Sequence, residues 1–144
     1  MASPSPLSAA LFAALFIALA MPLAPPAHAE EAPAGASPGF VPIEDIVVPV
    51  VVKTRLRGYL LVRGTLEFGT PDQAKSAEAW VPRVQDAWVR TLNGLAARGH
   101  FDDAIIDVDM LKKHLFAAVA SAFGNGTTAH DVLIVRALFQ KVNG

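Results

Sequence analysis

Apolar and polar residues alternate with a period of two from Tyr59 to Phe68, which is the pattern of a strand with one buried face. Leu60, Val62, Leu66 and Phe68 share one side with Gly64 between them, while Tyr59, Arg63, Thr65 and Glu67 share the other with Leu61 as its apolar exception. Upstream, the β-branched runs Ile46-Val47-Val48 and Val50-Val51-Val52 flank Pro49. A first strand is expected there, kinked at the proline and confined to a sheet edge. Lys53 to Gly58 reads as the polar turn that joins the two strands antiparallel.

After Phe68 the period lengthens. Thr70 as N-cap, Pro71 at the first helical position and Gln73 three residues after the cap open a long helix. Its buried stripe is Ala77, Trp80, Val84, Trp88, Thr91, Leu92 and Leu95, with Arg83, Asp86 and Arg90 opposite. Trp80 and Trp88 lie close to two turns apart and are expected to share the core face. Pro82 lacks a backbone donor and clashes with the preceding turn, so the helix should kink or restart there, and Arg98-Gly99-His100 ends it. Asp107 or Asp109 caps a second helix with Met110, Leu111, Leu115, Ala118, Val119 and Ala122 on one face, which stops at Gly124-Asn125-Gly126. A closing strand, Val132 to Val142, has Leu133, Val135, Ala137 and Phe139 on one side and Val132, Ile134 and Leu138 on the other, broken by Arg136 and Gln140. The order β, β, α, α, β predicts an α+β domain over residues 40–144, a small antiparallel or mixed sheet with two helices packed on one face.

The N-terminus follows a different rule. Leu7 to Met21 is an uncharged apolar run of fifteen residues, short of the roughly twenty that a membrane span needs. Ala27-His28-Ala29 then offers a small-x-small cleavage site. Residues 1–29 are therefore expected to be a signal peptide, with an uncleaved membrane anchor as the alternative, and the domain to reside in the periplasm. Glu30 to Gly39, rich in Ala, Pro and Gly, reads as a flexible leader.

All 12 Lys and Arg and all 13 Asp and Glu lie after Ala29, which leaves the mature domain near neutrality and gives no electrostatic reason to expect nucleic acid. The chain has no cysteine, which excludes disulfides, thiolate catalysis and a lipid-modified cysteine. His100, His114 and His130 sit in three segments without the i, i+4 spacing of a helical metal site. The aspartates at 102, 103, 107 and 109 are interrupted by Ile105, Ile106 and Val108 and read as a capped, solvated turn rather than a calcium loop. No catalytic residue, cofactor or metal is expected. The residues singled out are cations: Lys53, Arg55, Arg57 and Arg63 around the hairpin, and Arg83 and Arg90 on the helix, as a candidate interaction surface. The hairpin group serves either to keep a strand from pairing with strangers or to dock an acidic partner or anionic lipid headgroups.

Three segments, Tyr59 to Phe68, Val81-Pro82-Arg83-Val84-Gln85-Asp86-Ala87 and Val132 to Gln140, give the chain its resemblance to the periplasmic domain of the flagellar basal-body FliL family, over about Val41 to Lys141. The resemblance implies a stomatin/prohibitin-like fold and a non-enzymatic accessory protein that associates with itself and with the flagellar stator or basal body beside the inner membrane. Self-association is expected through the Val132 to Phe139 strand edge or the helix face bearing Arg83 and Arg90. The alternative is a soluble periplasmic module that binds a small apolar ligand or a protein on the sheet or between the helices, unrelated to motility.

Overall fold

The alternating segment is the centre of a longer strand. The computed structural model describes residues 35, 37–102, 105–124 and 129–143; the expected signal peptide and most of the leader lie outside them, as do Asn125 and Gly126. Strand β1, Gly39–Val52, and strand β2, Arg55–Phe68, form an antiparallel hairpin. The leader therefore ends before Gly39, which is buried within β1. The turn is also shorter than the polar run suggests, because Val52 pairs with Arg55 and Val51 with Leu56. Only Lys53 and Thr54 remain as turn, both at positive φ (49° and 67°), the handedness that follows the twist of a two-residue hairpin.

Helix α1, Pro71–Ala77, begins as its sequence requires: Gln73 donates its backbone N–H to Thr70 Oγ1 at 3.3 Å. A 3₁₀ turn, Glu78–Trp80, then precedes helix α2, Val81–Ala97, which restarts with Pro82 in its first turn. A 3₁₀ segment turns about 20° further per residue than an α-helix, which moves Trp80 off the face of Trp88. Trp88 is fully buried, whereas Trp80 is 36% exposed, and the expected shared tryptophan face is corrected accordingly. Helix α3, Val108–Phe123, is capped by Asp107, whose Oδ1 accepts the Met110 N–H at 2.9 Å. Leu111, Leu115, Val119 and Phe123 make its buried stripe.

Strand β3, Asp131–Lys141, pairs antiparallel with β2, and the sheet order among the described residues is β1-β2-β3. Arg63 faces Arg136 but Gly64 faces Ile134, so Val135 is an extra residue that inverts the alternation. Val132 and Ile134 before it, and Ala137 and Phe139 after it, all pack on the core. The constant two-residue alternation expected along this strand is corrected by that bulge. A second bulge lies directly across the sheet in β1, where Glu44 and Asp45 stand between the pairs Ile43 with Gly64 and Ile46 with Val62.

Both edge strands thus bulge beside Gly64, whose own backbone is covered from the helical side. A β-carbon added at Gly64 would come within 2.6 Å of Trp88 Cη2 and 3.1 Å of the Leu133 carbonyl oxygen. The indole packs directly onto the backbone of the central strand, and only glycine leaves room for it. Helix α2 lies over β1 and against α3, which lies over β3. Among the described residues every fully buried side chain is apolar or glycine. The Trp88 indole N–H is buried there without a hydrogen-bond partner. The opposite sheet face carries Phe40, Val47, Tyr59, Leu133, Val135 and Leu138 exposed. No helix among the described residues is long and apolar enough to cross a membrane.

Candidate functional site

The six cations singled out from the sequence do not form one surface; the fold sorts them by what stands next to each. Arg63 lies opposite the β1 bulge, which brings Asp45 across to it. Its Nε donates to Asp45 Oδ1 at 2.7 Å and its Nη2 to Oδ2 at 2.8 Å, a bidentate pair that commits the guanidinium to the sheet. The pair also offsets the like charge of Arg136, directly opposite on β3. Arg90 reaches Asp86 one turn earlier on α2, at 2.8 Å. Arg83 stacks its guanidinium carbon 4.8 Å from the centre of the Trp80 ring, and Trp80 in turn packs on Phe123 with ring centroids 6.0 Å apart.

Lys53, Arg55 and Arg57 remain, all exposed at the hairpin tip and without an ion-pair partner among the described residues. The fold adds a fourth. Gly58 pairs with Lys141, and the Val142 N–H donates to the Arg57 carbonyl at 3.0 Å, which brings the end of β3 against the tip. Arg55, Leu56, Arg57, Lys141, Val142 and Asn143 line an open depression of about 350 Å³. Val52, Lys53, Arg55 and Arg57 line a second beside it. Four cations therefore converge on two adjoining hollows, and among the described residues no carboxylate lines either one.

Lys141 had no sequence signal that tied it to the hairpin. It lies more than eighty residues from Arg57, and only the β2–β3 register joins them. A cluster of this kind holds anions: each guanidinium can present two parallel N–H donors to a phosphate or carboxylate, and each ammonium adds a mobile point charge.

Elsewhere the surface is less concentrated. The hollow between α2 and α3 is lined by Ala87, Arg90, Thr91, Ala118 and Ser121, short and polar side chains for a groove meant to hold an apolar ligand. Lys112 on α3 donates to Asp131 Oδ2 at 2.8 Å, while Asp131 Oδ1 accepts the Val132 N–H at 2.8 Å. The Lys112 hydrogen bond foremost, and after it the Val132 N–H, hold the Asp131 carboxyl below its ordinary value of 3.8, against the opposing effect of burial. The pair fastens α3 to the start of β3. Set against known proteins, the chain matches no family model and no curated protein.

Proposed function

We propose that the chain is a non-enzymatic periplasmic accessory protein of the FliL type, which associates with itself and with the stator or basal body of the flagellum. The observation that supports this reading is that the three segments behind the resemblance form one connected unit. Tyr59 to Phe68 is the central strand, Val132 to Gln140 pairs along it, and the segment at Val81 opens the proline-started helix whose Trp88 rests on Gly64. The surface such a unit presents suits assembly. Both edges carry a bulge, but β1 is blunted further by Pro42 and Pro49, whereas β3 has no proline and leaves Val135 and Leu138 exposed.

The absence of cysteine makes a direct test straightforward. In the native host, deletion of the gene is expected to reduce swimming while flagella are still built, and a Val135→Cys chain is expected to restore swimming, to form a disulfide dimer when an oxidant is added, and to join stator subunits through a thiol-reactive photo-cross-linker in intact cells. Unimpaired swimming after deletion, or a host that builds no flagella, would overturn the reading.

A further inference from the structure

We propose that the basic hairpin tip binds the phosphate headgroups of an anionic membrane surface, with Arg55, Arg57, Lys53 and Lys141 as the contacting cations. This does not depend on the flagellar reading. Among the described residues no carboxylate pairs with the cations of the tip, unlike Arg63 and Arg90, each of which has its own aspartate. Aliphatic side chains stand among the cations: Leu56 and Val142 line the same hollow as Arg55 and Arg57. Val51, Leu56 and Val142 are 49%, 40% and 38% exposed. Cations interleaved with half-exposed aliphatics suit the boundary between headgroups and acyl chains, where the charged ends meet phosphate and the apolar groups enter the first methylenes.

The shape of the site separates this occupant from an acidic protein. A stable protein interface engages roughly 20 to 30 residues on each side, and the tip offers a handful of residues around a two-residue turn. A lipid surface asks for no complementary contour, because its charge is continuous and each cation contributes independently. The hollows are open rather than enclosing, which suits a headgroup presented from a plane.

The test is co-sedimentation of the full chain with vesicles of equal parts phosphatidylglycerol and phosphatidylcholine, compared with vesicles of phosphatidylcholine alone. The quantity read is the ratio of the two binding constants, which cancels any binding by the uncharged N-terminal run common to both vesicles. Each Lys or Arg near an anionic surface is worth about fivefold in binding. R55Q/R57Q should therefore lower the ratio about 25-fold, and K141Q alone about fivefold. K75Q/R98Q, which removes as much charge from exposed positions elsewhere, should leave the ratio in place, and added salt should collapse it. A thermal melt confirms that the tip variants are folded, and K141Q keeps the test decisive should the double variant melt early. A wild-type ratio of one, equal losses in both double variants, or full displacement by millimolar inorganic phosphate at constant ionic strength would each overturn the proposal, the last by showing a site for a small free anion.

Discussion

Arg63 and Arg57 lie six residues apart on one strand, yet they live in different electrostatic settings. At mid-sheet both edge strands bulge next to the Arg63–Gly64 step, one bulge delivers Asp45 to the arginine, and Trp88 presses on the glycine from the other face. At the tip the same strand runs beyond its acidic neighbours, and among the described residues its cations share their hollows with one another, a few aliphatic side chains and Asn143. One region uses charge to settle a bent sheet over a large aromatic ring. The other leaves charge facing solvent, where it contributes little to stability and remains available to a partner.

If mid-sheet is where the fold is secured, the largest effect should come from its ring. Trp88→Ala is expected to destabilise the domain by about 3 to 5 kcal/mol, the usual cost of truncating a buried large aromatic. Loss of the unpartnered indole N–H offsets a part of that, since an unsatisfied buried donor is itself unfavourable. A urea denaturation midpoint equal to that of the parent would break the comparison outright. Gly64→Ala probes the same contact from the sheet side. The new methyl would sit 2.6 Å from Trp88 Cη2, so an overpacking loss of about 1 to 3 kcal/mol is expected. A neutral or stabilised Gly64→Ala protein would mean that the indole does not rest on the central strand.

The sequence carried one half of this comparison better than the other. The alternation of β2, the Thr70-Pro71 helix start, the break at Pro82 and a cap at Asp107 or Asp109 are local signals, and the structure realises the break as a restart and the cap at Asp107. The bulges at Glu44-Asp45 and at Val135 leave no local mark, because a residue inserted into a strand is defined only against its partner strand. With the β3 bulge unseen, Phe139 and Ala137 were expected on the side of Leu133, and the pairing of Arg63 with Asp45 could not be foreseen from the β1 pattern. Trp80 escaped for a related reason: a three-residue change of helical pitch is invisible to a stripe counted at a constant 3.6. At the tip, Lys53, Arg55 and Arg57 were legible as a run, whereas Lys141 joins them through a register fixed by residues far away in the chain.

A finer cut through the comparison uses the arginines themselves. Arg63→Gln breaks a bidentate pair whose members are 41% and 31% exposed, and a loss of about 0.5 to 1 kcal/mol is expected, near the upper end for an exposed ion pair. The double change Arg55→Gln, Arg57→Gln removes twice the charge and should stay within about 0.5 kcal/mol of the parent. Chemical denaturation of the two proteins side by side decides this, and a tip variant that loses more than the Arg63 variant would show the tip cations to be structural.

The smallest effect is expected at a third place, the junction of α3 with the start of β3, and is read by pH. The contacts of Asp131 with Lys112 and Val132 lower its carboxyl below the ordinary aspartate range in the folded protein. A carboxyl lowered on folding adds stability that is complete above the unfolded value and disappears as pH falls through the folded one. The loss should therefore open below about pH 4 and grow with further acidification. Because Asp131 is 36% and Lys112 40% exposed, solvent screening keeps the contribution under about 1 kcal/mol. Lys112→Met removes the largest cause of the shift, so the difference in stability between parent and variant should shrink across that acid window. Thermal melts at matched ionic strength from neutral pH down to about pH 3 measure it, and a parent-to-variant difference that stays constant over the whole range would mean that α3 is not fastened to β3 by this pair.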